Sequence, residues 1–161
     1  MSILVAVDLS PASEKVVEAA GRIAKLNGAA VYILHAAEPE PDFVGYDAGP
    51  EVVRTQVAQE LRREHRDVQA LAEMLRGDGI DATALLVRGP TVETTLKEAE
   101  SLKAELIVLG SHGHGAVYDV LVGSYSAGII RRSKLPVLVV PIRDSCCLLY
   151  TSDAADDASS V

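Results

Sequence analysis

The chain has 161 residues, 48% of them hydrophobic and 24% charged; this fits one domain and excludes a chain disordered throughout, and at this length about two-thirds of the unfolded surface can be buried without a metal or disulfide staple. No Trp and a single Phe make the expected core aliphatic. The formal charge of −8 comes without a stripe of Lys and Arg, no apolar run is long enough to cross a bilayer, and the first residues lack a basic signal-peptide start; nucleic acid and membrane are therefore not expected partners, and a cytoplasmic location is the expectation.

Residues 3–7 are a short aliphatic run and read as the first strand. Ser10 and Pro11 follow, and a Ser cap with Pro at the first helical position predicts a helix start there. Val16, Ala20 and Ile23, with Val17 and Ala24 beside them, give that helix one buried face, and Asn27 and Gly28 end it. Residues 30–34 read as the second strand. Pro39, Pro41, Gly45, Gly49 and Pro50 predict a loop over 36–50. From 51 to 76 the apolar positions Val53, Val57, Leu61, Val68, Ala72 and Leu75 keep a helical period; His65 falls on that stripe and reads as a helix-face histidine rather than a ligand. Gly77 and Gly79 stop the helix.

Residues 82–87 are the third strand, and Arg88, Gly89 and Pro90 a turn. Thr91 opens a helix carrying Val92, Leu96, Ala99 and Leu102. Residues 106–109 form an unalternated apolar strand, the pattern of a parallel strand covered on both faces. A loop rich in Gly and His runs from 110 to about 123, a short helix runs from Ser124 to near Ser133, and residues 137–140, between Pro136 and Pro141, are the fifth strand. Each crossover is long enough for a right-handed βαβ unit, so the chain reads as a three-layer α/β/α fold on a five-stranded parallel sheet.

The last stretch, 144–161, shifts to small, polar and acidic residues, and 147–157 resembles a translated sequencing-library adapter. It is set apart as a non-native or disordered tail, leaving one domain over 1–143. Both cysteines, Cys146 and Cys147, fall in the tail, so disulfide, zinc and thiol chemistry are not expected of the domain. Without the four tail aspartates the domain has 19 acidic and 15 basic residues, a net charge of −4.

In an open parallel sheet, ligands bind beyond the carboxyl ends of the strands, where strand order reverses. Asp8 ends the first strand and reads either as a residue satisfying the free N–H groups of a helix start or as a ligand contact. Three glycines, Gly110, Gly113 and Gly115, follow the fourth strand, either as a flexible turn or because the backbone takes positive φ or approaches something closely. Gly123 and Ser124 stand directly before the last helix, whose N-terminus offers unpaired N–H groups and a partial positive charge suited to phosphate; Ser124 could equally be a plain N-cap. No Gly-Lys dipeptide exists, which excludes a Walker A loop, and the spacing of Gly110, Gly113 and Gly115 is not the dinucleotide fingerprint.

On these residues the sequence resembles the universal stress protein family over 2–142. The signature G-x2-G-x9-G-[S/T] is met by Gly110, Gly113, Gly123 and Ser124, flanked by the aliphatic runs 106–109 and 135–141, and the start from Ile3 to Asp8 with Ser10 is also family-like. The resemblance implies the ATP-binding branch and sheet order 3-2-1-4-5, a fold of the adenine nucleotide alpha hydrolase type. Asp8 and Ala36 would contact adenine or ribose. Leu109, Gly110, His112 and Gly113 would line the ribose and first phosphates, and Gly123, Ser124 and Tyr125 would hold the outer phosphates of ATP, with Mg accompanying it. A homodimer through Val137, Leu138, Val139 and Val140 is also implied, and an aliphatic edge strand calls for such pairing. The sequence departs from the family at Leu9, where Gly is usual, at Tyr125, where a small aliphatic residue is usual, and at Glu105.

His112 and His114 are the acid–base candidates near the phosphates, although His114 also reads as a solvent-exposed loop residue, and the motif places no Lys or Arg against a transition state. The expectation is an ATP-binding stress-response module with little or no hydrolysis. The alternatives are a weak ATPase or adenylyl-transfer enzyme, and a nucleotide-free dimeric scaffold. A flavodoxin-like order, 2-1-3-4-5, would move the switch point to Asp8 and Arg88-Gly89.

Overall fold

The computed structural model describes residues 1–37, 50–111 and 123–142. Nine elements alternate along them: β1 (Ser2–Val7), α1 (Ser13–Asn27), β2 (Ala30–Ala37), α2 (Pro50–Gly77), β3 (Ala82–Arg88), α3 (Thr91–Ser101), β4 (Leu106–Gly110), α4 (Ser124–Arg132) and β5 (Val137–Val140). The strands form one parallel sheet in the order β3-β2-β1-β4-β5. The expected order therefore holds, and the flavodoxin-like alternative does not.

The side-chain period of two divides β1 between the two faces of the sheet. Ile3 and Val5 join Val31, Ile33 and Val108 beneath Val16, Val17 and Ala20 of α1 and Val68, Ala72 and Leu75 of α2. Leu4 and Ala6 join Leu34, Ile107 and Leu109 against Ala99 of α3 and Ile129 of α4. Ile3, Leu4 and Val5 are all fully buried. The strand is apolar without alternation because it is covered on both sides.

The chain lays β2 and β3 to one side of β1, then crosses back to place β4 on the other. That reversal puts α1 and α2 on one face and α3 and α4 on the opposite face. It also makes the carboxyl ends of β1 and β4 the switch point, since no helix crosses between them.

Two boundaries differ from the sequence expectation by more than one residue. β2 runs to Ala37, so Ala36 lies inside the strand, paired with Val87, and not in a loop. Cross-strand pairing with β3 extends the strand beyond its apolar run. α1 begins at Ser13, with Ala12 at the N-cap and no side-chain cap bond, so Ser10 and Pro11 precede the helix instead of starting it. The helix start is organised by Asp8, described below.

Candidate functional site

β1 delivers Asp8 to the switch point. Its Oδ1 accepts hydrogen bonds from the Ser10 N–H at 3.0 Å and from the Ser13 hydroxyl at 3.1 Å. The first is an Asx turn, in which a carboxylate satisfies the backbone two residues on. Asp8 thus ties the turn ahead of α1 to the first residue of the helix, and the bonds hold its carboxylate in one orientation. Ser13, only 3% exposed, is the buried donor that does so. Between them Leu9 adopts φ 58, the left-handed region that a β-carbon disfavours.

β4 brings Gly110 beside Val140 of β5 in the sheet. Gly123 is the N-cap of α4, with φ −66 and ψ 162. Any residue adopts that conformation, so left-handed backbone is not why Gly stands at 123. The structure places the end of β4 against the start of α4: the Gly123 N–H donates to the Ser111 carbonyl at 2.8 Å, and the Ser126 hydroxyl donates to the Gly110 carbonyl at 2.7 Å. Ser111 is itself fixed, its N–H donating to Val140 and its hydroxyl accepting from the Ile142 N–H. The start of α4 is thereby bolted to the end of β4.

Ser124 is exposed at the first helical position, so it is not the cap; the side-chain-less Gly123 is. The Gly123 N–H is committed to Ser111. What α4 presents is the N–H groups of Ser124, Tyr125 and Ser126, which the helix geometry leaves without intrahelical partners, together with the positive end of its dipole.

Tyr125 turns its ring inward against the cluster shared by α3 and α4. Its hydroxyl lies 2.8 Å from Thr95 Oγ1. Burial pushes the phenol up to about 12, with the Asp8 carboxylate adding to the rise; Thr95, whose hydroxyl can turn to donate to a phenolate, offsets part of it. Asp8 at the end of β1 and Tyr125 at the start of α4 are therefore within electrostatic reach across the switch point.

Of the remaining sequence candidates, Leu109 is fully buried, so only its main chain could face a ligand. Ala36, one place from the end of β2, sits beside His35, whose Nδ1–H donates to the Val7 carbonyl at 2.9 Å because a carbonyl only accepts. His112 and Gly113 lie outside the described residues, as do His114, most of the loop expected at 36–50, and the tail from 144. Ser13, Ser126 and Thr95 were not singled out from the sequence. Ser13 stands in the first turn of α1, five residues after Asp8, and Ser126 on the first turn of α4; a polar residue at either place is a signal only once the strand end beside it is known.

An open parallel sheet wound on both faces, with an anchored helix N-terminus and an aspartate at the ends of β4 and β1 where strand order reverses, defines a doubly wound α/β domain. A family model described as the Universal stress protein family matches residues 1–141, and the chain belongs to that family. It is 34% identical over 141 residues to a universal stress protein of Thermus aquaticus, covering 86% of this chain and 97% of the relative. Universal stress protein UspA from Lactobacillus plantarum shares the fold at a TM-score of 0.75 and 21% identity, over 87% of this chain and 97% of that one. A universal stress protein in complex with cAMP matches at 25% identity and a TM-score of 0.61, over 88% of this chain and 96% of that one.

Proposed function

We propose that this protein binds an adenine nucleotide, ATP with Mg above others, in the cleft between β1 and β4, and works as a nucleotide-dependent stress-response module with little or no hydrolysis. The observation that carries the reading is the bolting of the α4 N-terminus to the end of β4 through Gly123, Ser111, Ser126 and Gly110. An acidic protein needs a local source of positive potential to hold phosphates, and free N–H groups on a fixed helix end supply it. The cAMP complex of a structural neighbour supports an adenine nucleotide as the ligand class.

In this reading Asp8 and the end of β2 near Ala36 take the nucleoside, away from the phosphates that a carboxylate would repel. Gly110 lines the first phosphates, and Ser124 and the Tyr125 backbone take the outer ones; His112 and Gly113 are assigned to the first phosphates on the signature alone. Little hydrolysis is expected because no Lys or Arg occurs between Gly110 and Ser124 to stabilise a transition state. The edge strand β5, with Leu138 exposed, is the surface proposed for a homodimer.

Calorimetry with ATP and magnesium tests the reading. Saturable binding by the wild type, lost in Gly123→Val, is the expected result. No binding by folded wild-type protein would favour a dimeric scaffold, and phosphate release well above that of Gly123→Val would favour an ATPase.

A further inference from the structure

Two consecutive residues at the start of α4 make side-chain bonds in different directions. Ser126 reaches back to the Gly110 carbonyl of β4. Tyr125 reaches across to Thr95, a fully buried residue of α3. The Thr95 hydroxyl donates its proton to the Thr91 carbonyl at 2.8 Å, which leaves a lone pair toward Tyr125. Tyr125 is thus the donor of the bond between them.

Successive helix residues project about 100° apart. One bond would hold the helix end in place but leave it free to roll; two bonds so separated fix the roll as well. The contact is supported further along the same helices. A β-carbon on Gly128 would stand 3.0 Å from Val92 Cγ2, so α4 lies directly on α3. Arg132 is paired with Glu93, holding that carboxyl below its ordinary range. Nothing in the nucleotide reading uses the Tyr125 hydroxyl, and an aliphatic residue at 125 could fill the cluster without it.

We propose that Tyr125 and Thr95 are a positioning pair for the nucleotide site: their hydrogen bond sets the roll of the first turn of α4, and so the direction in which the N–H groups of Ser124, Tyr125 and Ser126 meet the phosphates. The proposal rests on the nucleotide reading above. Neither side chain touches the ligand; both act through the backbone of α4. Tyr125→Phe keeps the ring and removes only the donor, while Thr95→Val keeps the shape and removes the acceptor together with the bond to the Thr91 carbonyl.

The experiment is ATP affinity by calorimetry for wild type, Tyr125→Phe, Thr95→Val, the double variant and Thr95→Ser, at a temperature well below the melting point of each. Loss of one neutral hydrogen bond predicts that Tyr125→Phe and Thr95→Val each weaken ATP binding by roughly three- to tenfold. The double variant falls no further than the weaker single variant, because the same bond is lost. Thr95→Ser, which restores the hydroxyl, binds within about twofold of wild type. A lower melting temperature with unchanged ATP affinity in Tyr125→Phe and Thr95→Val would show a purely structural pair and overturn the proposal. So would additive losses in the double variant. Absence of ATP binding by the wild type itself would overturn the nucleotide reading, and the positioning role with it.

Discussion

Leu9 holds φ 58 directly after Asp8, on the turn that aims the carboxylate. For an L-residue this region costs about 1–2 kcal/mol, because Cβ crowds the following carbonyl. The half-buried side chain packs against the cluster under α1 and α2, which offsets part of that cost. Two truncations separate the contributions. Leu9→Ala removes the packing and keeps the strain; Leu9→Gly removes both. At an ordinary position Ala is the more stable of the two by roughly 0.5–1 kcal/mol, since Gly has more chain entropy to lose. Here the order inverts: Leu9→Gly is expected to exceed Leu9→Ala by about 1 kcal/mol, or roughly 2–4 °C in Tm for a chain of this size. Thermal and urea unfolding followed by circular dichroism measures the difference. An Ala variant equal to or more stable than the Gly variant would show that the turn carries no left-handed strain, and would remove the physical reason for Gly being the better residue beside Asp8.

Three further outcomes can be checked. The Tyr125 phenol ionises near 12 in the folded protein against 10.0 unfolded, so its contribution is fully present below pH 10 and falls as pH rises toward 12, by on the order of 2–3 kcal/mol; Tyr125→Phe should flatten the alkaline limb of a stability–pH curve, and an unchanged limb would contradict this. Ser126→Ala leaves the Gly110 carbonyl without its donor and should cost about 1–2 kcal/mol in urea unfolding while weakening ATP binding; a variant as stable as wild type would refute the bolted junction. Removing residues 144–161, which lie beyond the family match ending at 141, should leave ATP affinity and melting temperature unchanged, and a clear loss of either would show that the tail belongs to the working protein.

The sheet was legible because its strands are short aliphatic runs separated by helices whose apolar period is plain, as in Val16, Ala20 and Ile23. The central position of β1 was not readable from its own residues, since Leu106 to Leu109 is equally apolar; strand order came from the family signature. β2 read three residues short because His35, Ala36 and Ala37 are held in the sheet by pairing with β3, a tertiary effect that local composition does not encode. The start of α1 was misplaced for a related reason. Ser10 and Pro11 are good local signals, but Asp8 captures the Ser10 N–H and the Ser13 hydroxyl and delays the helix to Ser13. At the site, the family signature implied that Gly110 and Gly123 come together, and the bonds between Ser111 and Gly123 and between Gly110 and Ser126 join the end of β4 to the start of α4. The side-chain bonds, Ser126 to Gly110 and Tyr125 to Thr95, could not be read from the sequence, because each bond spans helices or strands whose mutual placement only the folded chain supplies.

In the proposed function, the ends of β1 and β4 and the first turn of α4 grip one ligand together. Amide NMR of the full chain during titration with ATP and magnesium follows each of these segments at once. The signals of Asp8, Gly110, Ser111, Gly123, Ser124 and Tyr125 are expected to shift along a single saturable isotherm, with the outer face of α2 unmoved. Shifts confined to one of those segments, or centred on another face of the sheet, would contradict the proposed function.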